Sequence, residues 1–155
     1  MKRVIVPLTF ILALLLTACS YTTNFVILNA TDQAVELRYK LKASERDVIQ
    51  VAGEPRKTAG EKLRNSDREW RLLAPGEYSV DREARTVSIR LMPHEAVLVR
   101  QLTNYGGHDD TSDAEGFAVE EIRLNGASGE VILQGDQARR SFLKESDNLY
   151  TLTYR

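Results

Sequence analysis

Residues 33–42 constrain this chain more than any other part of its 155 residues. Val35, Leu37, Tyr39 and Leu41 alternate with Glu36, Arg38, Lys40 and Lys42. That period of two suits an extended strand with one buried face. A helix would scatter the same apolar side chains around its circumference. Ahead of this strand stands the run Phe25-Val26-Ile27-Leu28, joined to it through Asn29-Ala30-Thr31-Asp32. Asn and Asp there can bond their own backbone in a turn, so the two runs read as a hairpin.

The same grammar recurs downstream. Residues 85–91 alternate with Val87, Ile89 and Leu91 inward, after Ala74-Pro75-Gly76 and Tyr78-Ser79-Val80. A Pro93 turn then leads into Ala96-Val97-Leu98-Val99. Residues 118–124, 130–134 and 149–154 read as three more strands, with Asn125-Gly126 and Ser128-Gly129 marking the turn between the first two. Residues 136–145 read as a helix of about two turns. About eight or nine strands with turn signals every 8–12 residues make an all-β, mainly antiparallel sandwich with one short helix near the C-terminus. The Phe25–Thr31 segment with its alternating partner resembles the first hairpin of bacterial immunoglobulin-like domains. Leu91-Met92-Pro93-His94-Glu95-Ala96-Val97 resembles the strand, turn and strand of the same domains. The resemblance implies an immunoglobulin-like β-sandwich, a fold that carries no activity by itself.

Two segments interrupt the pattern. Residues 43–69 are dense in charge, with Val48, Ile49, Val51 and Leu63 as the large aliphatic residues. They read as a long solvated loop, with an edge strand possible around Val48. Residues 105–116 contain Gly106-Gly107 and an acidic run. Loops of this length in a compact domain are functional or mobile.

The N-terminus has a different logic. Lys2 and Arg3 precede residues 4–16, which carry no charge. Thirteen residues at a helical rise of about 1.5 Å reach only about 20 Å, short of a bilayer core of about 30 Å. This is the layout of a secretory signal peptide. Leu16-Thr17-Ala18-Cys19 then resembles the lipobox of bacterial lipoproteins. The resemblance implies diacylglyceryl transfer to the Cys19 thiol and cleavage between Ala18 and Cys19. Acyl chains such as palmitate would hold the protein on a membrane, at about 0.8 kcal/mol per buried methylene. Cys19 is the only cysteine, so the exported body has no internal disulfide. Ser20 in place of Asp implies, by the same resemblance, the outer membrane of a Gram-negative cell, facing the periplasm. The expected organisation is a signal peptide at 1–18, lipidated Cys19 and a short linker at 19–24, and a sandwich at 25–155. Five residues, 20–24, span at most about 17–18 Å when extended, so the sandwich sits against its membrane.

Loss of Lys2 and Arg3 leaves 19 cations against 22 acidic residues, a formal charge of −3. That near-neutral mixture argues against nucleic acid and against an electrostatic grip on anionic lipid.

No catalytic constellation is legible. There is no Gly-x-Ser-x-Gly, and His94 and His108 read as surface residues of a turn and a loop. Ser141-Phe142-Leu143-Lys144 and Ser146-Asp147-Asn148 match two motifs of β-lactamases. They nearly abut here, and Lys-Thr-Gly is missing, so they read as a short helix and its turn. From Asp109, oxygen side chains fall at positions 1, 3, 5, 7 and 12 of an EF-hand-like spacing (Asp109, Thr111, Asp113, Glu115, Glu120). Ala114 stands where that loop needs Gly, so a solvated acidic loop is the plainer account. His108, Asp109, Asp113 and Glu120 remain the candidates for a cation or ligand. Trp70, Tyr21, Tyr105 and Tyr150 could stack on a glycan, although Trp70 in Trp70-Arg71-Leu72 reads as packing.

The expected function is a non-enzymatic, cofactor-free interaction or assembly module meeting another envelope protein. The alternative is a glycan- or cation-binding lipoprotein using residues 105–116.

Overall fold

The computed structural model describes residues 20–42, 55–63, 69–105, 117–146 and 148–155. They form strands β1 (Ser20–Asn29), β2 (Val35–Leu41), β3 (Arg56–Ala59), β4 (Arg71–Leu72), β5 (Tyr78–Asp81) and β6 (Thr86–Leu91). β7 (Glu95–Tyr105), β8 (Val119–Gly126), β9 (Gly129–Gln134), β10 (Leu143–Ser146) and β11 (Leu149–Tyr154) follow. A 3-10 turn covers Gly60–Lys62, and one helix, α1, covers Asp136–Arg140. Two sheets result, β10-β11-β1-β7-β3-β4 and β5-β6-β2-β8-β9. The chain is an all-β sandwich, mainly antiparallel, with β1 and β11 lying parallel from Asn24↔Leu149 to Asn29↔Tyr154.

The core between the sheets gathers the inward positions of the alternating strands. Val35, Leu37, Tyr39 and Leu41 of β2 meet Val87, Ile89 and Leu91 of β6 and Ile122 and Leu124 of β8. Phe25 packs against Phe117, Phe142 and Tyr150 at ring separations of 5.0, 5.5 and 5.2 Å. Each large apolar side chain so buried stabilises the fold by about 1.5–3 kcal/mol.

Two runs do not alternate because the middle of the six-stranded sheet is covered on both faces. Val26 and Ile27 of β1 are both fully buried, as are Ala96, Val97 and Val99 of β7. Ile27 and Val97 face the main core. Val26, Ala96, Leu98 and Leu149 form a second cluster under Leu63, with Leu28 and Trp70 packed against it. Burial on both faces is what continuous apolar strands signify.

Several expectations are corrected. β1 and β2 are not a hairpin: β1 pairs with β7 and β11, and β2 with β6 and β8. The intervening turn crosses from one sheet to the other. Asn29, fully buried, holds that crossing. Its Nδ2 donates to Gln33 O at 2.7 Å and to Met92 O at 3.0 Å, and its Oδ1 accepts from Thr31 N at 3.0 Å. Residues 20–24 are not a linker but the first half of β1, paired from Ser20↔Tyr105 to Asn24↔Gln101.

Part of the expected solvated loop is sheet, because β3 pairs with β7 from Arg56↔Leu98 to Ala59↔Glu95. The edge strand expected around Val48 lies outside the described residues. The helix stops at Arg140, five residues early. Ser141 Oγ donates to Gln137 O at 2.7 Å, Phe142 turns into the core, and β10 pairs with β11. The β8–β9 hairpin is as expected, closed by Gly126↔Gly129 with Gly129 at φ 109°.

Candidate functional site

Ala18, Cys19, His108, Asp109 and Asp113 lie outside the described residues. The strands that lead to them are described, and they end together: Ser20, which follows Cys19, is the register partner of Tyr105. β11 joins β1 only from Asn24. The chain therefore leaves toward Cys19 and toward the acidic segment from neighbouring points at one end of the sandwich.

Glu120, the described member of the candidate cation set, stands on β8. Its Oε2 is 3.4 Å from Lys40 Nζ and 3.7 Å from Arg85 Nη2. His94 occupies the left-handed region at φ 57° in the turn from β6 to β7. Its Nε2 lies 3.0 Å from Asp32 Oδ1, and both side chains are exposed. This is a surface pair in solvent, where such a contact contributes little. Ser141 and Lys144 sit on opposite sides of the junction between α1 and β10, and the Ser141 hydroxyl is spent on the Gln137 carbonyl. Among the described residues no group of three His, Cys, Asp or Glu side chains converges as a metal site would require.

A charge cluster centred on Lys57 of β3 leaves no local mark in the sequence. Lys57 is buried, with Nζ 2.9 Å from Glu77 Oε1 and 2.9 Å from Glu95 Oε1. Glu77 also receives both Nη atoms of Arg71 at 2.8 Å and the Ala74 N–H at 2.7 Å. Glu95 receives the Met92 N–H at 3.0 Å. Burial pulls the Lys57 pKa down, but the two carboxylates outweigh it and leave the pKa raised. The Arg71 fork, the Ala74 N–H and the Lys57 ammonium hold the Glu77 carboxyl far below the usual carboxylate range. A lysine serving as a base or nucleophile needs the opposite shift. The cluster instead clamps β3 to the β4–β5 connection and to the start of β7.

Beside it, a two-lobed trough runs over the outer face of the six-stranded sheet. Its lobes hold about 340 and 580 Å³ and share Leu28, Ala30, Gly60 and Glu61. Thr151 and Glu145 flank the smaller lobe, and Pro93 and His94 the larger. Among the described residues no Phe, Tyr or Trp lines either lobe.

The remaining feature is the edge of the five-stranded sheet. β9 (Gly-Glu-Val-Ile-Leu-Gln) pairs with β8 without a bulge and is the last described strand of its sheet. Val131 is 37% and Ile132 42% exposed. The other edge strands are better protected. β4 has two residues, β5 four, and β10 carries Lys144 and Glu145 and breaks register against β11. Natural sheets blunt their edges with short strands, charge, Pro or bulges. β9 has a single charge, Glu130, and none of the other devices. The apolar run Val131-Ile132-Leu133, which does not alternate with polar residues, was the signal for this in the sequence.

No family model, no curated protein and no solved structure matches this chain.

Proposed function

We propose that this chain is an envelope lipoprotein, cleaved behind Ala18 and lipidated on Cys19, whose sandwich is a non-catalytic protein-interaction module. The observation that carries the interaction reading is the β9 edge: six residues, regular, apolar at its centre and unshielded by any described strand. Such an edge presents a row of backbone donors and acceptors to an added strand, and flanking pockets give the addition its specificity. The start of β1 at Ser20 supports a module held close to its membrane, because strand replaces the flexible tether. Ser20 after the lipidated cysteine supports the outer membrane of a Gram-negative cell, with the body facing the periplasm. The partner is then another polypeptide at that membrane surface, and the chain needs no cofactor.

The test is labelling of cells with radioactive palmitate, followed by fractionation. The expected result is label and protein together in the outer-membrane fraction, both lost from it in Cys19→Ala. Unlabelled protein, or Cys19→Ala that stays on the membrane, would overturn the anchored reading.

A further inference from the structure

We infer that the strand added at β9 is β9 of a second copy, running antiparallel about a two-fold axis at Ile132. The inference rests on the reading of β9 as a docking edge and names its occupant.

The backbone sets the phase. Gly135 N–H donates to Glu120 O at 2.8 Å. These two residues are directly opposite in the register that pairs Gln134 with Glu121. Hydrogen-bonded and non-bonded pairs alternate along an antiparallel ladder. Leu133, Val131 and Gly129 therefore turn their peptide groups toward β8, and Glu130, Ile132 and Gln134 turn theirs outward.

The side chains then select the partner. Residues 130–134 read Glu-Val-Ile-Leu-Gln, which is polar, three apolar, polar, and symmetric about Ile132. An antiparallel copy centred there places Ile132 on its own mate, Val131 on Leu133, and Glu130 on Gln134. Every apolar residue meets an apolar one, and each Glu130 carboxylate meets a Gln134 amide, which gives one N–H to Glu121 Oε2 at 2.6 Å and has a second to donate. All three outward residues fall in hydrogen-bonded pairs, about six new bonds in total. Shifting the axis by one residue, to Val131 or Leu133, leaves about four bonds. It also sets Ile132 against Glu130 or Gln134. Moving the axis by one residue slips the pairing by two, so the faces are kept and it is the matching of apolar with apolar side chains that is lost.

Val131 lies on the core side of the sheet opposite Leu124, at the rim of the sandwich. The mate's Leu133 covers it and carries the core across the junction. On the outer face Arg123, beside Ile132, is already bound to Glu121, so no unpaired cation faces the seam. The result is one continuous ten-stranded sheet across an isologous dimer. Its two-fold axis is perpendicular to the sheet. For copies anchored in one membrane that axis is the membrane normal, so the sheets lie flat on the bilayer. Confinement there raises the effective concentration of a small edge contact.

The experiment uses the full chain in detergent, by sedimentation across a concentration series, with three variants. Wild type is expected to dimerise. Ile132→Lys sets two cations face to face and should weaken dimerisation at least about tenfold. Its circular dichroism should match wild type, since the position is half-exposed. Ile132→Cys should form a covalent dimer on mild oxidation, because Cα atoms about 5.5 Å apart suit a disulfide. Leu143→Cys, on β10 and 69% exposed, should not. A monomeric wild type, or a dimer indifferent to Ile132→Lys and not captured by Ile132→Cys, overturns the inference. If a photo-reactive residue at 132 joins one other envelope protein while wild type stays monomeric, the docking edge survives and only the second copy is refuted. No adduct of either kind removes both.

Discussion

Replacing Asn29 by Asp changes one atom of a fully buried side chain and exposes how the two sheets are joined. The Asn29 amide donates to Gln33 O at 2.7 Å and Met92 O at 3.0 Å, with Leu91 O a further 3.3 Å neighbour. A carboxylate has no proton to donate, so its second oxygen confronts those carbonyls. Two bonds are lost at about 1 kcal/mol each, and an unpaired buried charge adds at least as much again. The expected loss at pH 7 is about 3–5 kcal/mol, a large fraction of a stability of about 5–15 kcal/mol.

The carboxyl escapes part of the cost by taking up a proton, which raises its folded pKa above the unfolded value of about 3.9. A raised pKa favours the folded state below the unfolded value, and that benefit is lost as pH rises through the folded one. Relative to wild type at the same pH, the deficit should therefore shrink by about 2 kcal/mol between pH 7 and pH 4.5. Urea unfolding followed by the single Trp70, half-buried in the second cluster, measures both values. A loss under about 1 kcal/mol at pH 7, or a deficit that grows on acidification, would refute the role given to this amide.

Other perturbations follow from the same contacts. A Cβ on Gly60 would stand 2.7 Å from Leu28 Cδ1 and 2.9 Å from His94 O. Leu28 can turn away but the carbonyl cannot, so Gly60→Ala should cost about 1–3 kcal/mol in urea unfolding. An unchanged midpoint would contradict the close approach. Glu77 has a depressed pKa, so its contribution is present above the unfolded value of about 4.3 and lost as pH falls toward the folded one. Glu77→Gln should flatten the acid limb of the stability profile below about pH 4 and reduce its dependence on salt. An acid limb identical to wild type would remove Glu77 from the clamp.

How far the fold was legible depended on whether each signal was local. Alternation in β2 and β6 named both strand and face, because one face of each is buried; β8 was legible as a strand alone. The turn chemistry of Asn29-Ala30-Thr31-Asp32 was legible too: Thr31 N does bond Asn29 Oδ1. Which strand came next to β1 was not, because the same turn serves a hairpin or a crossing between sheets. Only the long-range bonds to Leu91 and Met92 decide it. β3 was hidden for a related reason. Arg56-Lys57-Thr58-Ala59 reads as solvated, and Lys57 is buried only because Glu77 and Glu95 arrive from 20 and 38 residues away. The helix over 136–145 was over-extended because Phe142 fits a helical face as well as it fits the aromatic group around Phe25. At the candidate site, the open edge was visible as an apolar triplet in β9, but its symmetry means something only once β9 is known to be an edge.

The most direct measurement places a photo-reactive residue at position 132 of the full chain and crosslinks in intact cells, with position 143 as control. One dominant adduct is expected from position 132 in the membrane fraction, absent from 143 and lost when Glu130→Lys and Gln134→Lys together place cations on the same edge. No adduct from 132, or the same diffuse adducts from both positions, would contradict the claim that this sandwich works through the edge of β9.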